Sequence, residues 1–282
     1  MKKLLSAFAV AALAACLVST GCGVIPFGGA PASSSSTSSS SSVSSASSSS
    51  SSSTSSSSKA VELPAANDLV QVSGITETSE PEGDLALSIR VKGLKGGTAD
   101  ADIDEGRANA IVTVASILQD FENREIQCEL SSFAGGTAAN SIPSDATAVV
   151  VIDSDIRATL EQTANDYIAG LKNTFSGIES NITLEITEVD MPAAVVSNDD
   201  RRNALWFMTE IVDGVNTWQK DASDQVESSS NLGVFNLGVD GVSATTSVRS
   251  TSADRETEIV NKQVALAEES GYKAEVVKVT EL

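Results

Sequence analysis

The sequence predicts an α+β fold: two stacked, ferredoxin-like βαββαβ-type units, with an antiparallel sheet covered by helices on one face, behind a disordered serine-rich tether. Three observations carry this. Segments that alternate apolar and polar residues are interleaved with segments whose apolar residues recur at i, i+3 and i+4. The order strand, helix, strand, strand, helix, strand occurs once in full and once without its opening strand. Residues 33–58 are almost pure serine, broken only by Thr37, Val43, Ala46 and Thr54.

Residues 1–22 read as a targeting segment. Lys2 and Lys3 give a positive start, and Leu4 to Val18 is an apolar run too short for a stable membrane span. The run closes on Val18-Ser-Thr-Gly-Cys22, which is similar to a bacterial lipobox, so Cys22 is the expected lipidation site and mature N-terminus. Leu13-Ala-Ala-Cys16 is the alternative, although it leaves a very short apolar region; a plain secretory signal without lipid is the third reading. Buried acyl chains contribute roughly 0.8 kcal/mol per methylene, so a multiply acylated cysteine is a lasting anchor. The expected location is the extracytoplasmic face of the cell membrane.

Residues 23–60 have little apolar area to set against the entropy of ordering, and are expected to be a disordered linker. The serine run would span on the order of 28 Å as a coil and at most about 90 Å stretched. Residues 61–282 then form the folded domain, with a first unit over about 83–190 and a second over 191–282.

In the first unit a strand is expected at 85–94 (Leu85, Leu87, Ile89 and Val91 inward) and a helix at 105–121. The helix buries Ala110, Ile111, Val114, Ile117, Leu118 and Phe121, and Asp102 or Asp104 can cap its start. Between them Gly93, Gly96 and Gly97 permit a turn that other residues resist. Strands at 125–133 and 146–152, a helix at 154–175 and a strand at 182–189 complete the unit. The second unit has a helix at 200–214, a hairpin of strands at 225–239 and 242–250, a helix at 253–270 and a strand at 272–280. Asp240-Gly241 is a strong hairpin signal, and Gly271 suits a left-handed helix cap.

Composition excludes several functions. The formal net charge is −20, and −22 once Lys2 and Lys3 are removed, which opposes binding to nucleic acid. Cys128 is the one cysteine outside the targeting segment and reads as a small buried hydrophobe between Ile126 and Leu130. Asp100-x-Asp102-x-Asp104 resembles the start of a calcium loop, but Glu105 and Ile111 stand where that loop needs glycine and glutamate. Trp206 and Trp218, with Phe207, read as core or helix-packing residues. No metal site or cofactor is expected.

The stretch Lys92-Gly-Leu-Lys-Gly-Gly-Thr98, followed by Asp102-Ile103-Asp104 and Gly106-Arg107-Ala108-Asn109-Ala110, resembles the lid, or dimerisation, domain of bacterial aminoacyl-histidine dipeptidases. These are two-zinc metallopeptidases. Phe133-Ala-Gly-Gly-Thr-Ala-Ala-Asn140-Ser-Ile-Pro143, Ser229-Ser-Asn231-Leu-Gly233 and Arg249-Ser250 are similar to further lid motifs in the same order. Where the family carries two histidines, this chain has Thr98 and Asp104, and it contains no histidine at all. Threonine cannot replace an imidazolium as an oxyanion stabiliser. The resemblance therefore implies a lid without catalytic residues or zinc ligands, not an enzyme. It would act in self-association as a homodimer, or in binding a short peptide near Arg249, with Asn140, Asn231 and Asn109 as further candidates. Arg249 leads because a guanidinium fork matches a peptide carboxylate. Alternatives are a lid that completes a separately encoded zinc dipeptidase in trans, and a passive surface or cell-wall spacer.

Overall fold

The computed structural model describes residues 66–220 and 222–280. The targeting segment, the serine linker, Cys16 and Cys22 lie outside the described residues. The domain is built on a nine-stranded sheet. In chain order its strands and helices are β1 (Ala66–Gly74), β2 (Leu85–Lys92), α1 (Ala110–Asn123), β3 (Glu129–Gly135), β4 (Ala146–Ile152), α2 (Arg157–Thr174) and β5 (Thr183–Glu188). Then follow α3 (Asn198–Glu210), β6 (Gly214–Gln219), β7 (Ala222–Gly238), β8 (Gly241–Ser250), α4 (Ala253–Glu269) and β9 (Lys273–Thr280).

Strand order is β9-β1-β8-β7-β3-β4-β2-β5, with β6 added on β7. Both halves have the order of a ferredoxin-like unit, fourth-first-third-second, one as β5-β2-β4-β3 and the other as β9-β1-β8-β7. The units do not stack. They lie side by side and join where Phe235–Leu237 of β7 pair with Phe133–Gly135 of β3. The partition into 83–190 and 191–282 needs correction for the same reason. The opening strand that the second unit lacked is β1, which precedes the whole first unit, so the first unit is an insertion into the second.

The helices cover one face. Helix α1 buries all six residues expected of it, against Leu87, Ile89 and Val91 of β2, which have essentially no exposed area. Removing a side chain such as Phe121 from this layer would cost about 3–5 kcal/mol. In the second unit Phe207 of α3 stacks on Phe235 of β7 at 6.2 Å, and Phe133 of β3 meets Phe235 edge-on at 5.5 Å. These rings knit the two units into one core. Trp206 and Trp218 correct the expectation of core packing, being 47% and 44% exposed. Phe207 faces the sheet, so its neighbour Trp206 points roughly 100° away around the helix, and Trp218 sits on the short strand β6.

Helix ends follow local chemistry. Gly271 takes the left-handed conformation after α4, where the Tyr272 amide donates to the Ala267 carbonyl and the Gly271 amide to Glu268. The same closure ends α1, but there Glu125 occupies the left-handed position at φ 58°. Helix α1 starts at Ala110, not 105, and its cap is Asn109, whose Oδ1 accepts from the Ile111 amide. Neither Asp102 nor Asp104 caps it; a short 3-10 turn over Ile103–Glu105 precedes it.

Candidate functional site

The glycine loop before α1 is folded onto itself by three charged residues. Asp102 accepts from the Thr98 amide at 2.8 Å through one oxygen and from Arg107 at 2.7 Å through the other. Arg107 also donates to Glu105 and to the Gly96 carbonyl. A Cβ on Gly97, at φ 128°, would collide with the Arg107 guanidinium and the Asp102 carboxylate, so glycine is required there. Glu179, absent from the sequence-level candidates, is buried and accepts from the Lys95 amide (2.7 Å) and the Ala108 amide (3.0 Å). It pins both arms of the loop to the end of α2. Thr98 and Asp104 are exposed on this loop, and the Thr98 hydroxyl is 3.4 Å from the Asp102 carboxylate.

Arg249 on β8 forms an ion pair with Asp100 of the same loop, while its Nε is buried without a partner among the described residues. Asn140 is exposed, and its backbone carbonyl accepts from the Ala99 amide at 2.8 Å. Thr98, Asp100, Asn140 and Arg249 thus belong to one loop-covered region. None of them lines a pocket between the two helices of the first unit and β6.

Asn109 and Asn231 do line that pocket, whose volume is about 470 Å³. It lies between α1, α2 and β6, with Val112, Tyr167, Leu171, Phe175 and Trp218 as apolar wall. Its polar floor arises from a gap in the sheet. On one side of β7, β6 pairs up to Ser230 and β3 starts pairing at Phe235, which leaves Asn231 to Val234 without a neighbouring strand there. Side chains fill the gap. The Leu232 amide donates to Asp213 Oδ1 at 2.8 Å, and the Leu232 carbonyl accepts from Asn109 Nδ2 at 3.0 Å. Asn109 Nδ2 also donates to Asp213 Oδ1 at 3.1 Å. Burial pushes the Asp213 carboxyl up to about 6, against the smaller opposing effect of those two donors.

Asn231 is almost fully buried and donates through Nδ2 to the carbonyls of Ala139 (2.8 Å) and Ser141 (2.9 Å). Its Oδ1 has no partner among the described residues. The two asparagines therefore satisfy loop and strand backbone, and also reach one cavity. Asp213 was not legible as a site residue: a lone acid beside glycine carries no motif. Its one sequence signal is its place just after the amphipathic pattern of α3.

Cys128 is buried just ahead of β3, 3.9 Å from the Arg201 guanidinium, and burial pushes its thiol up to about 11. Such a thiol is unreactive at neutral pH. Among the described residues, no group of three acidic, cysteine or histidine side chains is placed to hold a metal ion, and no helix is long and apolar enough to cross a membrane.

Residues 89–179 match the peptidase dimerisation domain family. The chain is 28% identical over 195 residues to the cytosol non-specific dipeptidase of Escherichia coli (strain K12), covering 69% of this chain and 40% of that protein. In fold it is similar to the aminoacylhistidine dipeptidase from Vibrio alginolyticus, with a TM-score of 0.72 at 25% identity, over 75% of this chain and 43% of that one. The lid resemblance of the glycine loop is borne out, and so is the α+β class. The chain spans about two-fifths of the length of these relatives.

Proposed function

We propose that this chain is a non-catalytic protein of the dipeptidase-lid type, anchored through Cys22 (or Cys16) to the extracytoplasmic face of a membrane and acting by self-association. The carrying observation is the glycine loop. Thr98 and Asp104 stand at its two histidine positions, Thr98 is turned to Asp102, and the sequence holds no histidine to take over the role. Zinc peptidase chemistry needs ligands and an oxyanion stabiliser that these residue types do not supply.

Self-association is supported by the family matched, which is named for dimerisation, and by the outer strands of the sheet. Among the described residues β5 and β9 each pair on one side only. Capture of a short peptide at Arg249 ranks lower, because Asp100 already neutralises that guanidinium. The test is the full-length protein purified from membranes in detergent, assayed for zinc-dependent dipeptide hydrolysis and for mass by light scattering. Absence of turnover and a concentration-dependent dimer are expected. Turnover that needs zinc, or a strict monomer that co-purifies with a zinc peptidase, would replace this reading with that of an enzyme or an enzyme subunit.

A further inference from the structure

We propose that the pocket between α1, α2 and β6 binds a small organic amine, with its ammonium group held by Asp213 and its apolar remainder against Trp218, Tyr167 and Phe175. This goes beyond self-association and does not depend on it.

The pocket holds an acceptor that lacks a donor. Asp213 is only partly buried and lines the cavity; its Oδ1 takes both the Leu232 and the Asn109 bonds, while Oδ2 takes none among the described residues. A ligand that supplies an N–H to Oδ2 makes a charge-assisted hydrogen bond there. Asn231 serves the wall instead: its Nδ2 holds the Ala139 and Ser141 carbonyls, and its Oδ1 has essentially no exposed area.

Charge selects the ligand class. Three charged residues line the pocket: Asp104, Arg107 and Asp213. The guanidinium of Arg107 is matched by Asp102 and Glu105, which leaves the acids uncompensated. Water would supply donors but no positive charge, and the two acids are too few to cage a metal ion. An ammonium supplies three donors and the charge. The volume fits an organic molecule, being within the usual range for small-ligand sites. The half-exposed Trp218 is placed on its wall, where an indole can face a cation or an aromatic ring.

A free amine and the amino terminus of a short peptide share this chemistry, and the experiment separates them. The full-length protein carrying Trp206→Phe, so that Trp218 is the reporting indole, is titrated with phenethylamine, phenylalanyl-alanine and the N-acetyl form of each at a pH of about 8. Saturable quenching by an unblocked probe and none by its acetylated form is expected, with at least about tenfold weaker binding to Asp213→Asn. That variant keeps an acceptor for the Leu232 amide, and an unchanged circular dichroism spectrum certifies its fold. Trp218→Ala, read by calorimetry, is expected to weaken the same probes. Tighter binding of the dipeptide assigns the site to peptide amino termini, and tighter binding of phenethylamine assigns it to free amines. Failure of both probes to bind, equal binding of acetylated forms, or undiminished binding to Asp213→Asn overturns the proposal.

Discussion

Asp213 also makes the stability of the domain depend on pH in an unusual direction. Its carboxyl has a reference value of 3.8 and stands at about 6 in the folded protein. Below about pH 4 it is protonated in both states, and no difference arises. As pH rises from about 4 to 6 the unfolded chain loses its proton first, so folding stability falls, and the full penalty persists above about 6. A gap of roughly two pH units corresponds to a ceiling of about 3 kcal/mol. The side chain keeps some area open to the pocket, so about 1–2 kcal/mol is the expected size. Asp213→Asn removes the ionisation but preserves an oxygen for the Leu232 amide. The assay is urea unfolding of both proteins, free of amines, between about pH 4 and 8. Titration of every other acid appears in both and cancels, so the stability of the variant minus that of the parent should rise across the window and then level off. A difference that is flat in pH, or one that falls, would refute the burial of this carboxylate and the sheet-gap geometry with it.

Three further outcomes are expected. Glu125→Gly relieves a left-handed residue at the end of α1 and should stabilise the domain by about 0.5–1 kcal/mol in the same urea assay, net of the added chain entropy. Asn109→Ala removes the cap of α1 and strands the Leu232 carbonyl, and should destabilise by about 2–3 kcal/mol in thermal or urea unfolding. Alkylation of Cys128, followed by peptide mapping, should be at least about tenfold slower in the native protein than in urea, because the thiol is both buried and held in its neutral form.

Much of the fold was legible because local patterns agree with tertiary burial. The strand expected at 146–152 is β4 residue for residue, and the Asp240-Gly241 turn joins β7 to β8. Strand β1 was not legible, although Val70 and Val72 alternate with polar neighbours. Its partners, such as Thr246 and Val276 for Val70, lie 176 and 206 residues away, where no local signal reaches. The start of α1 was misplaced because an acid before a helix resembles a cap; Asp102 is instead spent on the Thr98 amide and Arg107. Of the site, Asn109 and Asn231 were visible through the lid motifs. Asp213 and Glu179 were not, since an isolated acid acquires its role only from what surrounds it after folding.

The place of β1 determines how the domain would bear load. Everything before residue 66 is joined to the domain through this strand, and β1 is clamped on both sides, by eight residue pairs with β8 and eight with β9. A pull on the chain N-terminal to β1 runs along the strand and strains both ladders in parallel, which resists far more than peeling bonds one at a time. Rupture would then need the simultaneous loss of many hydrogen bonds. Under the anchoring proposed above, tension between membrane and domain would enter the fold at this mechanical clamp. Clipping β9 from the C-terminus would leave β1 held on one side alone and turn that clamp into a weak joint.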